Sequence, residues 1–150
     1  MAVLIVLLGS LLLFRAAGAL GVEALDSWLA AARWALALML LFTAAAHFTR
    51  MKEDLVRMVP PWVRWPRQVV ALTGACEVLE AIGILAPATR QLAGILLIVF
   101  FIAILPANIH AARAGAFLGG RPATPLWLRI PMQLLFIALA WWVTQPVASS

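Results

Sequence analysis

The stretch Thr73-Gly74-Ala75-Cys76-Glu77-Val78-Leu79-Glu80-Ala81-Ile82-Gly83 lies inside an apolar run that extends over residues 69–86. It carries two carboxylates, Glu77 and Glu80, where a bilayer-spanning helix normally has none. An ionisable side chain at the centre of a membrane span costs roughly 2.5–3.5 kcal/mol on insertion scales, so such residues are rare and usually functional. The stretch therefore predicts a helix in a membrane bundle that turns its carboxylates inward.

The composition supports a membrane environment for this helix. Apolar residues make up 65% of the 150 residues and charged residues 11%, whereas soluble domains have about 45–50% and about 25%. The chain is predicted to be one integral membrane domain, residues 1–150, with the lipid bilayer as its first partner. The net charge of +5 lies in loops between apolar runs, without a basic stripe of interleaved aromatics, so no nucleic-acid partner is expected.

Five apolar runs are long enough for a membrane helix, which needs about 20 residues. The predicted spans are residues 2–20, 28–48, 68–85, 90 to about 110, and 126 to about 144. Asp26 or Ser27 is expected to cap the second span, and Pro106 to kink the fourth and free the carbonyl of Ile102. Apolar residues at helical spacing predict a short amphipathic helix over 51–59, lying on the membrane surface and ended by the prolines at 60 and 61.

Basic residues indicate the orientation of the chain. Most Lys and Arg residues lie in the loops after the second and fourth spans, and short basic loops stay in the cytoplasm. We therefore expect the N-terminus to be cytoplasmic and the C-terminus periplasmic, as in a multi-pass protein of a bacterial-type inner membrane.

The polar residues of several spans are predicted to converge in the cytoplasmic half of the bundle. Thr73, Glu77 and Glu80 share one face of the third span. We expect Glu77 to be hydrogen-bonded, with Arg129 as its preferred charged partner or one bridging group away, because a buried charge in lipid must be paired. The other expected polar contacts are His47, Asn108 and Gln133, with Asn108 and Gln133 as bridging amides and Phe42, Phe101 and Phe136 as apolar walls.

Two other interpretations of these polar residues stay open. Interhelical polar contacts also lock helices together without forming a ligand site. His47 lies at a helix end, where an interfacial imidazole is ordinary.

No metal site is predicted, because the chain has no HxxxH or ExxH spacing. Cys76 is the only cysteine, so the chain has no CxxC motif and cannot run a dithiol cycle alone.

Several motifs, taken together in their order and spacing, resemble the DoxX-like family of small membrane proteins over about residues 28–142. The matching pieces are Ala46-His47-Phe48, Met58-Val59-Pro60-Pro61, Gly74-Ala75-Cys76-Glu77 with Gly83, Pro87-Ala88-Thr89-Arg90, Phe100 to Pro106-Ala107-Asn108-Ile109, and Arg129-Ile130-Pro131-Met132-Gln133. The resemblance implies a four-helix transmembrane bundle, residues 28–144. The additional N-terminal helix, residues 2–20, departs from the family pattern.

The resemblance also implies a range of functions. Some DoxX-like proteins are small subunits of a thiosulfate:quinone oxidoreductase, others act in membrane complexes for oxidative and thiol stress, and a distant animal relative is an assembly chaperone for acetylcholine receptors. We therefore expect a redox accessory subunit, rather than a stand-alone enzyme, that binds a quinone-like or lipid-like ligand. The alternative is a non-enzymatic assembly factor, and a small-molecule transporter fits less well because no internal repeat is evident. Two kinds of protein partner remain open: another membrane or redox protein, and a second copy of this chain.

Overall fold

The computed structural model describes residues 2–145, and this part of the chain consists of helices joined by turns and loops, with one small hairpin. The α-helices are α1 (Ala2–Ala19), α2 (Trp28–Phe48), α3 (Lys52–Met58), α4 (Pro66–Leu85), α5 (Arg90–Arg113) and α6 (Leu126–Val143). A 3-10 turn, Glu23–Leu25, follows α1. The strands β1 (Phe117–Leu118) and β2 (Arg121–Pro122) pair in antiparallel register between α5 and α6.

Helix ends follow local chemistry. The hydroxyl of Ser27 accepts a hydrogen bond from the backbone N–H of Ala30 at 3.1 Å, so Ser27 caps α2 as the sequence predicts. Helix α4 begins two residues earlier than expected, at Pro66, because proline in the first turn needs no intrahelical donor. Helix α5 continues past His110 to Arg113 before Gly115, at φ +62°, turns the chain.

Five helices of the described region are long and apolar enough to cross a bilayer: α1, α2, α4, α5 and α6. Helix α2 lies at the centre of the bundle. Of its 18-residue apolar segment 56% is buried, whereas only 11% of the corresponding segment of α1 is buried. Helix α2 packs against α1, α4 and α6, while α5 packs against α4 and α6. Most of the core lies between α2, α4, α5 and α6, and α1 packs against α2 and adds Leu7 to the same buried cluster.

Helix α3 and the β hairpin close one end of this bundle. Helix α3 confirms the short helix predicted within 51–59, and it packs against α2, α4, α5 and β1. The carboxylate of Asp54 accepts a hydrogen bond from the backbone N–H of Gly119 at 2.8 Å and pairs with Arg57. These contacts hold the pKa of Asp54 below its usual range, the Gly119 N–H contributing most. The hairpin is therefore attached to α3 by one carboxylate.

Candidate functional site in the membrane bundle

Gly74 allows α2 and α4 to approach closely where their polar residues meet. A Cβ atom added at Gly74 would lie 2.6 Å from the Cβ of His47, well inside the contact distance of about 3.5–4.0 Å between carbon atoms. His47 therefore packs directly on the α4 backbone. This contact decides which residues of α4 the imidazole can reach.

The imidazole of His47 is oriented by the backbone of α4. Its Nδ1 lies 2.6 Å from the carbonyl oxygen of Val70. A carbonyl oxygen only accepts hydrogen bonds, so Nδ1 carries a proton and donates it. The hydroxyl of Thr73 lies 3.4 Å from the same nitrogen and donates to the carbonyl of Val70 at 3.0 Å. The other ring nitrogen, Nε2, is left to face Glu77.

The side chains of His47 and Glu77 approach each other at this interface. Nε2 lies 3.5 Å from Oε2 of Glu77, and both side chains are close to 10% exposed, at 11% and 9%. With Nδ1 already protonated, one more proton on either Nε2 or Oε2 gives the pair a donor and an acceptor. Among the described residues, however, Oε2 of Glu77 has no hydrogen-bond partner, so the two groups lie at ion-pair distance without a hydrogen bond between them.

A second polar group joins α5 and α6. Arg129 donates from Nη1 to Oδ1 of Asn108 at 2.8 Å, and Asn108 donates from Nδ2 to Oε1 of Gln133 at 3.3 Å. Gln133 then donates from Nε2 to the main-chain carbonyl of Phe101 at 2.5 Å. Each amide accepts on one side and donates on the other, so the chain of hydrogen bonds begins at a guanidinium and ends at a backbone oxygen.

The two polar groups face a cavity of about 600 Å³. Thr43 and Glu77 line it from α2 and α4, and Asn108, Arg129 and Gln133 line it from α5 and α6. Phe101 and Phe136, with ring centroids 5.8 Å apart, form part of its apolar wall. The hairpin and the segment before α6 lie at its mouth, through Leu118 and residues 121–125.

Residues 36–144 match the family described as a domain of unknown function (DUF8561). The chain belongs to this family. The DUF8561 match begins inside α2 and ends just after α6, so it includes both polar groups and most of the cavity lining, but not Ala2 and Val3 of α1, which also line the cavity. No curated protein and no solved structure matches the chain.

The structure brings most of the predicted site residues together but separates the preferred ion pair. Among the described residues, no ion pair joins Glu77 to Arg129: Glu77 contacts His47, and Arg129 contacts Asn108. The predicted direct pair is wrong because α4 packs on α2 and α5, while α6 packs mainly on α5. The expected hydrogen bond to Oε2 of Glu77 is also absent among the described residues. Asn108 and Gln133 are bridging amides, as expected, but they connect Arg129 to the Phe101 carbonyl rather than to Glu77.

Two further expectations are changed by the packing. Phe42 is not a wall of the cavity, because it lies on the outer face of α2 and 45% of it is exposed. The residues of α2 that line the cavity are Met39, Leu40 and Thr43. Glu80 is buried as predicted, with 7% exposed. It does not line the cavity, and in the described part of the chain its Oε2 has no hydrogen-bond partner.

The sequence analysis missed two parts of the site. Thr43 lies one helical turn before His47, so the 3.6-residue periodicity of α2 could have placed both on one face. The hairpin at the mouth gave a weaker signal, since it lies in the segment left between the predicted fourth and fifth spans. The Gly119-Gly120 pair, at φ +58° and +76°, is the feature that could have indicated a tight turn.

Proposed function

We propose that this protein is a membrane-embedded accessory subunit that holds a quinone-like or lipid-like molecule in the cavity lined by α1, α2, α4, α5 and α6. The observation that carries the proposal is the cavity itself, which combines apolar walls with polar side chains from α2, α4, α5 and α6. Its volume of about 600 Å³ falls within the range of roughly 300–1,000 Å³ that small-molecule sites occupy.

The apolar wall suits a flat or chain-like hydrophobic body. Phe101 and Phe136 lie 7% exposed or less, and Met132 and Ile104 extend the same surface. Aromatic rings at 5.8 Å offer faces and edges against which a ring or an acyl chain can pack. A soluble, strongly charged metabolite would gain little from such a surface.

The polar groups suit a ligand with oxygen atoms at two ends. Glu77, whose Oε2 lies 3.5 Å from Nε2 of His47, offers a carboxyl group from α4. Arg129, aligned by Asn108, offers a cationic donor on the α6 side. A quinone carries two ring oxygens and a lipid carries a polar head, and hydrogen bonds from these side chains would fix the orientation of either.

The redox part of the proposal rests on the DoxX-like resemblance of residues 28–142 and requires a partner. The chain has a single cysteine, so we propose that another membrane or redox protein supplies or accepts the electrons. In the same proposal the bundle lies in a bacterial-type inner membrane with its cavity, α3 and the hairpin on the cytoplasmic side. The excess of basic residues in the loops at that end supports this orientation.

A cavity-filling variant gives the sharpest test of ligand binding. Thr43→Leu places a larger side chain in the cavity, whereas Ala45→Leu adds one to the exposed face of the same helix. Each full-length protein would be purified in a mild detergent and titrated with a short-tailed ubiquinone, with thermal unfolding followed by tryptophan fluorescence. A ligand that binds only the folded state raises the unfolding temperature.

We expect saturable stabilisation of the wild type and Ala45→Leu, and a loss of this response in Thr43→Leu. Native mass spectrometry of the same samples would detect a co-purified quinone or lipid. An equal response of all three proteins would contradict a ligand in the cavity. An empty bundle that co-purifies with a protein partner would instead favour an assembly factor.

A further inference from the structure

The opposite end of the bundle holds a second, smaller cavity of about 110 Å³. Two arginines line it, Arg33 from α2 and Arg90 from α5, together with Ala24, Ala30, Trp34 and Leu85. Arg33 precedes His47 by about 21 Å along the helix axis, at about 1.5 Å per residue. This cavity is therefore separate from the one that Glu77 and Arg129 line.

Both guanidinium groups are positioned by the ends of helices. Arg33 donates from Nε to the carbonyl of Val143 and from Nη2 to the carbonyl of Gln145, each at 2.8 Å. Arg90 donates from Nε to the carbonyl of Ile84 at 2.9 Å and from Nη2 to that of Leu85 at 3.1 Å. These bonds satisfy the last carbonyls of α6 and α4. A guanidinium carries five N–H groups, so each arginine keeps donors for another acceptor.

The two positive charges have no acidic partner in the part of the chain that the structure describes. Among residues 2–145, no carboxylate oxygen lies within 4.0 Å of Arg33 or Arg90. Arg33 is only 7% exposed. Backbone carbonyls accept its hydrogen bonds but leave the net charge in place, and two like charges on one cavity repel each other. An anion in the cavity would remove this repulsion.

The surroundings indicate which anion fits. The cavity has room for a tetrahedral oxyanion, and arginine binds phosphate oxygens through two parallel N–H groups. Trp28, Trp34, Trp141 and Trp142 lie at the same end of the bundle and are 42–62% exposed, as in the tryptophan belts that mark the headgroup level of a bilayer. We propose that Arg33 and Arg90 form a second binding site, for the phosphate group of an anionic phospholipid. This proposal does not depend on the function of the larger cavity.

The test compares three additives on the full-length protein in an uncharged detergent. They are dihexanoyl-phosphatidylglycerol, inorganic phosphate, and dihexanoylglycerol, which has the same acyl chains and no phosphate. Thermal unfolding is followed during each titration at constant ionic strength. We expect phosphatidylglycerol to raise the unfolding temperature saturably and dihexanoylglycerol to leave it unchanged. A saturable response to inorganic phosphate at equal concentrations would identify a free phosphate site rather than a lipid site.

Three variants decide whether the response comes from this cavity. Arg90→Gln should weaken the apparent affinity by about tenfold or more, the usual effect of removing a charge-assisted hydrogen bond. Ala30→Leu should do the same by filling the cavity while leaving both guanidinium groups in place. Arg15→Gln removes one charge at the same end of the bundle but outside the cavity, and it should bind as the wild type does. No response in the wild type, or an equal response in all variants, would overturn the proposal.

Discussion

The α2–α4 interface and the α5–α6 side of the bundle both carry polar residues, yet they are built differently. At the α2–α4 interface a glycine brings the backbones together, so His47 packs on Gly74 and reaches Val70 and Glu77. On the α5–α6 side, hydrogen bonds from Arg129 to Asn108 and from Asn108 to Gln133 connect the two helices beside a cavity. The first arrangement sets how closely α2 and α4 approach. The second joins α5 to α6 and leaves a cavity beside them.

The largest expected effect is on the close approach at Gly74. Gly74→Ala places a methyl group 2.6 Å from His47 Cβ, so α2 and α4 must separate or the imidazole must move. Overpacking of this kind costs about 1–3 kcal/mol. Reversible unfolding in mixed detergent micelles, monitored by circular dichroism, would measure the loss of unfolding free energy.

Gly9→Ala is the matched control for this substitution. Gly9 lies in α1, and a Cβ there would have no neighbour within 4 Å. Because alanine favours a helix over glycine by up to about 1 kcal/mol, we expect unchanged or slightly increased stability. Similar losses for both substitutions would show that the α2–α4 contact is not close-packed at Gly74.

The second prediction concerns which residues are energetically coupled. His47→Ala and Glu77→Ala should be non-additive, with a coupling energy in the range of about 0.5–3 kcal/mol for residues in contact. Glu77 and Arg129 share no hydrogen-bonding partner among the described residues but line the same cavity, so the coupling energy of Glu77→Ala with Arg129→Ala should be smaller than that of Glu77→Ala with His47→Ala. Two double-mutant cycles of unfolding free energy would measure both values. Strong coupling of Glu77 to Arg129 would restore the ion pair that the sequence suggested.

The smallest effect is expected at the end of the bundle, where Asp54 holds the hairpin. Asp54→Ala removes the acceptor of the Gly119 N–H, so hydrogen exchange at Gly119 should accelerate several-fold while exchange in the core of α2 stays unchanged. Glu53→Ala removes an equal charge from the same helix and serves as the control. Equal exchange rates at Gly119 in both variants would show that the Asp54 contact does not hold the hairpin.

The pH dependence of the hairpin has a defined sign. Because the folded state lowers the pKa of Asp54 through the Gly119 N–H and Arg57, the contact contributes stability above the unfolded pKa of about 3.9. That contribution is lost as the pH falls through the lower value of the folded state. Protection of the Gly119 amide, corrected for its intrinsic exchange rate, should therefore decrease only in strong acid.

Local patterns predicted most of the helices, because length, hydropathy and capping act within one segment. Residues 28–48 form α2 as predicted, Ser27 caps it, and the short helix before Pro60 is present. The hairpin was not predicted, since strands of two residues carry almost no periodic signal. The early start of α4 at Pro66 is a boundary effect of the kind that hydropathy alone does not locate.

The sequence by itself determined that Glu77 and Glu80 would be buried on one face of an apolar helix, because helical periodicity and the cost of charge in lipid depend only on residue type and spacing. Only the tertiary structure decided their partners. Glu77 meets His47 because Gly74 lets α2 approach α4, and Arg129 meets Asn108 because α6 packs on α5. Similar depth in a bundle makes a contact feasible, but the arrangement of neighbouring helices determines whether two side chains touch.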